Sequence, residues 1–259
     1  MNEPNTATPW RRPPGRVIMV LPAYNEEENL GALLERGDEA FRDAGIDYQV
    51  IVVDDGSKDR TAEIAQHYAK SMPVRLERHV VNQGLGATIR DGLRAAAESC
   101  GDKDIVVAMD ADNTQTPALI RRMVRAIEEG NDVVIASRYQ VGSYVRGVPF
   151  HRVLLSIGAS WIFRLTFPIH GVRDYTCGFR AYRGAVLKEA FARYGDQFVS
   201  EQGFQCMVDI LLKLRAMGVI FAEVPLVLRY DLKGGASKMN VTRTVFRTLG
   251  LLARRRIGL

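Results

Sequence analysis

The chain has 259 residues, of which 47% are hydrophobic and 25% are charged, a composition typical of a globular protein with a full core. Its 35 basic and 30 acidic residues give a formal net charge of +5, which suits anionic substrates or an anionic membrane surface but is too weak to indicate nucleic-acid binding. The three cysteines are scattered and odd in number, so we expect no disulfide framework and a cytoplasmic location.

The two ends of the chain differ in composition from the part between them. Residues 1–15 are rich in Pro, Asn and Thr and lack the apolar segment of a signal peptide, so we expect a disordered lead-in. Residues 16–240 are expected to form one domain. Residues 241–259 combine apolar and arginine-rich faces, which predicts a helix that either packs on the domain or lies on an anionic membrane surface. No uncharged apolar run reaches about 18 residues, so no membrane-spanning helix is expected.

Short apolar runs alternate with amphipathic stretches through the first half of the chain. In chain order we predict strand Val17–Leu21, helix Glu26–Ala44, strand Tyr48–Val53, a helix from Ser57 or Lys58–Asp59 to about Ala69, strand Val74–His79, a helix ending near Glu98, a strand within Ile105–Asp112, a helix from Thr116 and strand Asp132–Ala136. This alternation is typical of an α/β fold with a mostly parallel sheet and helices on both faces. Right-handed crossovers place the carboxyl ends of such strands at one edge of the sheet.

Four polar clusters each follow one of these strands: Tyr24–Glu27, Asp54–Ser57, Asn82–Gly86 and Asp110–Asp112. They are therefore expected to converge on the edge where open α/β sheets bind their ligands. The glycines of the third cluster lack the spacing of a dinucleotide-binding fingerprint, and the chain has no phosphate-binding loop of the ATPase type.

Asp110 and Asp112 form the most informative of these clusters. Residues i and i+2 at the end of a strand point to the same side of the sheet. Two carboxylates held so close repel each other unless a cation or a proton lies between them. Oxygen ligands of this kind favour Mg²⁺ or Mn²⁺, which commonly also binds the phosphates of a nucleotide. The alternative for an isolated Asp-x-Asp is a solvated loop after a strand.

Seven blocks follow one another between residues 16 and 240: LPAYNEEENL, VVDDGSKDRT, NQGLGATIRDGL, AMDADNTQTP, IASRY, CGFRAYR and EVPLVLRYDLKGGASKM. In this order they resemble the motif series of the family 2 glycosyltransferases, most closely the dolichyl- or polyprenyl-phosphate mannose and glucose synthases. The resemblance implies a GT-A fold that binds a nucleotide sugar and a divalent cation and transfers the sugar with inversion.

The same resemblance assigns side chains to the nucleotide-sugar donor. Those expected to border or bind its base and ribose are Pro22, Tyr24, Glu26, Asp54 and Asp55. The alternative for Tyr24 is a half-buried packing residue. Gly86 would let the backbone approach the donor because it has no Cβ. Arg229 and Lys238 flank the segment 232–235, which we expect to close over the donor diphosphate as a lid.

Catalytic and metal-binding residues are assigned in the same way. The resemblance implies that Asp110, Asp112 and Thr114 bind the metal, with Asp110 alternatively contacting sugar hydroxyls. Asp174 and Arg180 belong to a block that the family places under the sugar and diphosphate. Arg180 would there stabilise developing negative charge.

A helix over 150–165 carries the expected acceptor site. Arg152 and Ser156 lie one turn apart on a face separate from its apolar arc, and Arg138 precedes the helix. Two arginines and a hydroxyl suit a phosphate better than a neutral alcohol, and the resemblance assigns all three to the phosphate of the lipid acceptor. The alternative for Arg152 is a solvated arginine on an amphipathic helix.

Three further positions are open. The pattern of the helix over 203–217 places Asp209 on the polar side, in an ordinary surface ion pair with Lys213, although relatives have an acidic residue near the site here. Glu201 is a rival to Asp209. Cys177 has no neighbouring histidine in sequence and is expected to be a packing residue.

The predicted function is transfer of mannose or glucose from a GDP- or UDP-hexose to polyprenyl phosphate. Because the acceptor phosphate is already anionic, such a transfer needs no strong general base. One alternative is a soluble acceptor, for which Asp174, Glu201 or Asp209 would be the base. Another is a non-catalytic nucleotide-binding subunit of a membrane complex. We expect a cytoplasmic protein that can bind the membrane surface peripherally, with no nucleic-acid partner.

Overall fold

The computed structural model describes residues 15–147, 158 and 160–232. In chain order its elements are β1 (Val17–Ala23), α1 (Leu30–Ala44), β2 (Tyr48–Asp54), α2 (Thr61–Tyr68), β3 (Val74–Arg78), α3 (Leu85–Ser99), β4 (Ile105–Ala108), α4 (Ile120–Glu128), β5 (Val133–Ser137), β6 (Tyr144–Arg146), β7 (Arg180–Arg183), α5 (Gly184–Tyr194), α6 (Cys206–Ala216), β8 (Phe221–Pro225) and β9 (Val227–Arg229). Short 3₁₀ turns cover Pro117–Leu119, Gly195–Val199 and Tyr230–Leu232. Residues 160–166 are helical.

The central sheet has the strand order β3-β2-β1-β4-β7-β5-β8. Every pairing is parallel except those of β7, which runs antiparallel to β4 and β5. Strands β1, β4 and β5 are apolar along nearly their whole length and buried, as expected where helices cover both faces of a parallel sheet. The predicted α/β fold with a mostly parallel sheet is confirmed.

The strand directions determine which residues meet at the edge of the central sheet where the polar clusters lie. Strands β1, β2, β3, β4, β5 and β8 all end there. Because β7 is antiparallel, it begins there, with Arg180 paired with Ala108 and Ile135. The segment 174–179 therefore enters the sheet at the edge where the polar clusters leave it. A second sheet pairs β6 with β9 and is joined to the loop after β4 through a bridge between Gln115 and Leu228.

Two helices begin later than the sequence pattern predicts. α1 begins at Leu30 and not at Glu26, because Asn25 adopts a left-handed conformation with φ of 51° and the following backbone amides bond to another loop. α2 begins at Thr61 because the residues before it form the turn that receives those bonds. None of the helices in the described ranges is long and apolar enough to cross a bilayer.

Candidate active site

Hydrogen bonds join the loop after β1 to the loop after β2. The amide of Asn25 donates to Ser57 Oγ at 2.9 Å, and the amide of Glu26 donates to Thr61 Oγ1 at 2.8 Å. Glu26 itself is buried, and its Oε2 accepts from Asn29 Nδ2 at 2.8 Å. Pro22 and Tyr24 are half-buried at the same edge. Pro22, Tyr24 and Glu26, three of the five residues assigned to the base and ribose, therefore lie in one corner of the site that hydrogen bonds hold together.

Asp54 and Asp55 are buried at the end of β2, and their carboxylates contact other residues of the chain. Asp54 Oδ1 accepts from the Ser57 amide at 3.0 Å, and its Oδ2 lies 3.1 Å from Arg78 Nε. Asp55 accepts from the backbone amides of Gln83 at 2.8 Å and Gly84 at 2.9 Å. Asp55 thus fixes the loop before α3, in addition to any contact with a ligand.

The absence of a Cβ at Gly86 allows another part of the backbone to come close. A Cβ at this position would lie 1.9 Å from the carbonyl oxygen of Glu201, and the Gly86 amide donates to Gln202 O at 2.8 Å. The close approach is therefore by the backbone of residues 201 and 202. The prediction that Gly86 admits the donor stays a prediction, and the close contact present in the structure is with the segment that contains Glu201.

The Asp-x-Asp loop after β4 is ordered by its own side chains. Thr114 Oγ1 donates to Asp112 Oδ1 at 2.7 Å, and Gln115 Nε2 donates to Asp110 Oδ2 at 2.7 Å. Asn113 adopts a left-handed conformation with φ of 59° and accepts from Arg36 Nη1 at 2.5 Å. Both carboxylates are half-buried. They lie at the strand end, as the sequence predicts.

Two other segments adjoin this loop. A Cβ at Gly178 would lie 3.5 Å from Asp110 Oδ1, so the segment before β7 lies against that carboxylate. The amide of Arg229, at the end of β9, donates to the carbonyl of Thr114 at 2.8 Å. The Arg229 side chain forms two 2.9 Å hydrogen bonds to Asp231. Arg229 is therefore close to the loop through its backbone, while its guanidinium is paired with a neighbouring carboxylate.

Arg138 and Asp174 form a close ion pair at the end of β5. Arg138 donates from Nε to Asp174 Oδ2 at 2.8 Å and from Nη2 to Asp174 Oδ1 at 2.7 Å, and Nη2 also reaches Thr176 Oγ1 at 2.6 Å. Asp174 is fully buried, whereas 26% of the Arg138 side chain is exposed. Burial alone would raise the pKa of Asp174, but the charge and hydrogen bonds of Arg138 lower it.

The assignment of Asp174 to the catalytic residues stays a prediction, and its contacts favour a structural function. A buried carboxylate that is paired with an arginine is a poor candidate for a general base. It also accepts from the amide of Cys177 at 3.1 Å. Asp174 therefore holds Arg138, and the arginine is the member of the pair that reaches solvent. Burial raises the pKa of the Cys177 thiol to about 12, in keeping with the packing residue predicted.

Arg180 lies inside the protein. It is fully buried, and its guanidinium donates to the carbonyls of Met207 at 2.7 Å and Tyr175 at 2.9 Å. These contacts tie α6 to the segment before β7. They leave the guanidinium inside the protein, so its contacts do not support the prediction that it stabilises charge developing on a leaving group.

Asp209 does pair with Lys213, at 2.6 Å, but the pair is buried and is not a surface pair. The residues that cover it precede α6: Lys213 Nζ donates to Gln197 O and lies 3.0 Å from Ser200 Oγ. The sequence pattern of α6 alone cannot show this cover. The paired Asp209 is a poor candidate for a base, and Glu201 stays the half-buried alternative.

Several predicted features lie outside the described residues: Arg152 and Ser156, Lys238 and most of the expected lid, the lead-in over residues 1–14 and the C-terminal helix. The structure also shows two residues that the sequence reasoning missed. Gln115 pins Asp110, and His79 Nδ1 lies 2.7 Å from Asp55 Oδ1. The position of His79 directly after β3 was the available signal for it, whereas Gln115 lies further along the loop after β4.

Comparison with known proteins identifies the family. The family described as Glycosyl transferase family 2 matches residues 18–191. The dolichol-phosphate mannosyltransferase of Pyrococcus furiosus is 36% identical over 211 residues, which are 81% of this chain and 55% of that protein. The polyprenol monophosphomannose synthase of Mycolicibacterium smegmatis is 32% identical over 91% of this chain and 86% of its own length. This chain thus spans about half of the archaeal relative.

A solved structure shares the fold. The glucosyl-3-phosphoglycerate synthase of Mycobacterium tuberculosis, in complex with Mn²⁺, uridine diphosphate and glucosyl-3-phosphoglycerate, superposes with a TM-score of 0.65 and 21% identity. The superposition covers 95% of this chain and 81% of that one. The expected GT-A fold is confirmed. On the extent of the family match and the identity to two mannosyltransferases, this chain belongs to glycosyltransferase family 2.

Proposed function

We propose that the protein transfers a hexose, mannose or glucose, from a GDP- or UDP-sugar to polyprenyl phosphate. The observation that carries the proposal is the Arg138 guanidinium, fixed by a buried carboxylate at the same sheet edge as Asp110 and Asp112. A pre-oriented arginine suits a phosphate acceptor. Both relatives above are named for transfer to a polyprenyl-type phosphate.

The residues of the Asp-x-Asp loop fit a hard divalent cation. Asp110 and Asp112 offer carboxylate oxygens, and the Thr114 hydroxyl already lies 2.7 Å from Asp112. Within the described part of the chain, no group of three acidic, histidine or cysteine side chains could bind a metal. The other ligands of Mg²⁺ or Mn²⁺ would therefore come from the donor diphosphate and water. When bound, the cation would neutralise charge on the departing diphosphate.

In the proposed reaction, an oxygen of the acceptor phosphate attacks the anomeric carbon from the face opposite the leaving group. The new carbon–oxygen bond forms as the bond to the β-phosphate oxygen breaks, and the nucleoside diphosphate leaves with that electron pair. Arg138 would bind and orient the attacking phosphate. Because that phosphate is ionised at neutral pH, the step needs no strong base. This agrees with the engagement of Asp174 and Asp209 in ion pairs.

We propose that the nucleotide-sugar donor binds beside the corner formed by the loops after β1 and β2. Pro22, Tyr24 and Asp55 would border the base and ribose. The Arg229 guanidinium would leave Asp231 and bind the donor diphosphate. It is paired with this partly exposed carboxylate close to the Asp-x-Asp loop. Lys238 and the segment around it would complete this end.

Membrane contact is part of the proposal because polyprenyl phosphate resides in a bilayer. Three large apolar side chains of the helical segment 160–166 are exposed: Trp161 by 64%, Ile162 by 46% and Leu165 by 88%. Arg164 lies over the Trp161 ring at 5.2 Å. An apolar face with an adjacent cation suits the interface of an anionic membrane, so we propose peripheral attachment there.

The test compares acceptors under identical conditions. Purified protein with Mn²⁺ would receive GDP-mannose or UDP-glucose together with either a short polyprenyl phosphate or 3-phosphoglycerate, and products would be identified by mass spectrometry. The proposal expects a hexosyl phosphate diester of the polyprenol. Transfer to 3-phosphoglycerate alone would favour a soluble phosphate acceptor. Donor binding without transfer to either acceptor would favour a non-catalytic nucleotide-binding subunit.

A further inference from the structure

Asn113 stands between Asp112 and Thr114 in the loop that follows β4. With φ of 59°, it is one of two residues other than glycine that adopt a left-handed conformation in the described part of the chain. This conformation is unfavourable for a residue with a Cβ, although less so for Asn than for most others. It persists only where the surrounding structure holds it. The proposed reaction assigns no function to Asn113.

The turn at Asn113 brings the two sides of the loop together. Immediately after it, the amide and the hydroxyl of Thr114 donate to Asp112 Oδ1 at 3.2 and 2.7 Å. The next residue, Gln115, forms two hydrogen bonds with Asp110: its Nε2 donates to Oδ2 at 2.7 Å, and its Oε1 accepts from the Asp110 amide at 3.2 Å. Each proposed metal-binding carboxylate is therefore oriented by a residue that follows Asn113, so its orientation depends on the turn.

Arg36, in α1, holds the Asn113 side chain from outside the loop. Its Nη1 donates to Asn113 Oδ1 at 2.5 Å, although the two positions are 77 apart in the chain. A hydrogen bond from an ionised donor is roughly twice as strong as one between neutral groups. This contact is therefore well suited to hold Asn113 in its unfavourable conformation.

The helix that carries Arg36 is a firm support. Leu33, Leu34 and Gly37, on either side of Arg36 in the sequence, are buried. A Cβ at Gly37 would lie 3.4 Å from Met19 Cε, so the helix lies directly on β1. Arg36 itself is half-buried. The arginine therefore joins the loop after β4 to a helix that is packed on the neighbouring strand.

The charge of Arg36 affects a bound cation in two opposite ways. A guanidinium beside the loop repels a divalent cation, which alone would weaken its binding. The same guanidinium offsets the mutual repulsion of Asp110 and Asp112 and holds the loop in one conformation before a ligand arrives. Carboxylates that are already oriented lose less conformational freedom when they bind. The two effects predict changes of opposite sign when Arg36 is removed, so an experiment can separate them.

We infer that Arg36 is a positioning residue of the metal site: it holds the turn at Asn113 and, through that turn, the orientation of Asp110 and Asp112. The inference rests on the proposed function, because it needs the divalent cation to bind at these carboxylates. Removal of a group that orients metal ligands typically lowers metal affinity by about 10- to 100-fold.

The test measures binding of Mn²⁺ together with GDP or UDP by calorimetry, without an acceptor. Arg36→Met removes the guanidinium and keeps a good helix former, and Arg36→Ala replaces it if the methionine variant does not fold. The variant is expected to bind at least about tenfold more weakly than wild type. The matched control is Arg42→Met in the same helix, where the arginine side chain is 71% exposed, and it should bind as wild type does. Unchanged or tighter binding in Arg36→Met would overturn the inference.

A double variant tests whether Arg36 acts through the turn. Glycine adopts a positive φ without steric cost, so in Asn113→Gly the turn no longer needs the arginine. Adding Arg36→Met to Asn113→Gly should therefore change the affinity by less than about twofold, the usual scatter of such cycles. A full tenfold loss in this background would overturn the inference, because Arg36 would then act without Asn113.

A further readout needs neither metal nor nucleotide. Hydrogen-exchange protection of the Thr114 amide, which donates to Asp112 Oδ1, should fall in Arg36→Met and stay unchanged in Arg42→Met. Equal protection in both variants and wild type would overturn the inference. Binding of Mn²⁺ and nucleotide by wild type, with no loss in Arg36→Met, overturns the inference alone. Absence of binding by wild type overturns the proposed function, and the inference falls with it.

Discussion

The guanidinium of Arg138 is held by three acceptor atoms, two on Asp174 and one on Thr176. A side chain fixed in this way loses little conformational freedom when it binds a ligand, which improves affinity without a new contact. Because Asp174 is buried and Arg138 is partly exposed, the cation is the part of the pair that a phosphate can reach. In the proposed reaction, Arg138 would therefore recognise the phosphate, and Asp174 would position the arginine.

Asp174→Asn should raise the KM for polyprenyl phosphate much more than the KM for the nucleotide sugar, because the amide cannot accept both hydrogen bonds from the Arg138 guanidinium. The expected change is about tenfold or more, corresponding to loss of one charge-assisted hydrogen bond. Steady-state kinetics with each substrate varied in turn measures both constants. The control is Thr176→Val, which removes one contact of Arg138 and leaves the ion pair. Equal changes in both KM values in Asp174→Asn would contradict a positioning function at the acceptor site.

The same pair predicts how stability depends on pH. The pKa of Asp174 is lowered in the folded protein, by the charge and hydrogen bonds of Arg138 acting against burial. Its stabilising contribution is therefore present above the unfolded value of about 3.9 and is lost as the pH falls through the lower folded value. Thermal unfolding of wild type and Asp174→Asn should differ at pH 6, and the difference should shrink below about pH 4. A difference that stays constant down to pH 2 would rule out this linkage.

At the scale of elements, the segment between α5 and α6 is attached at two places. Its carbonyl groups at residues 201 and 202 pack on Gly86, and Ser200 joins the buried pair of Asp209 and Lys213. The first attachment requires the absence of a Cβ at residue 86. The second holds the segment to α6. Together they fix the position of Glu201 at the sheet edge.

Gly86→Ala should destabilise the protein by about 1–3 kcal/mol or more, because its Cβ would collide with a backbone carbonyl that cannot rotate away. The matched control is Gly101→Ala, where the nearest atom to a new Cβ is 3.7 Å away. Urea unfolding of both variants gives the free energies. The prediction fails if the two alanine variants are equally stable.

Lys213→Met should cost about 3–5 kcal/mol, since it leaves the Asp209 carboxylate buried without its partner. The double variant Asp209→Leu with Lys213→Met should be more stable than this single variant, because neither charge remains buried. Urea unfolding of the wild type, both single variants and the double variant completes the cycle. Additive losses in the double variant would show that the two side chains do not stabilise each other.

At the scale of the whole molecule, two features follow from the sequence: the order of strands and helices, and the edge at which polar residues gather. Apolar runs bounded by polar clusters predict them, and the crossover rule orients them. The insertion of antiparallel β7 between β4 and β5 could not be predicted in this way, because the pairing joins residues far apart in the chain. The late start of α1 has a similar cause, since contacts with the 57–61 loop replace the first helical turn.

The identity of the site residues could be predicted better than their contacts. Asp110 and Asp112 follow β4 and Arg138 follows β5, at the edge of the sheet where the sequence predicts that polar residues gather. By contrast, the fully buried Asp174 and Arg180 carry residue types that are usually exposed, so their sequence suggests reactive groups. Only the folded structure shows that Asp174 is paired with Arg138 and that the Arg180 guanidinium donates to the backbone carbonyls of Tyr175 and Met207.

We propose that this chain transfers a hexose to polyprenyl phosphate at the Asp-x-Asp edge of its sheet. The most direct measurement is the rate of transfer from GDP-mannose or UDP-glucose to a short polyprenyl phosphate with Mn²⁺, for wild type and for Asp112→Asn of unchanged circular dichroism. We predict transfer by wild type and a rate at least about 100-fold lower in the variant, the scale seen when one group that stabilises transition-state charge is removed. No transfer by wild type from either donor, or equal rates in the two proteins, would contradict it.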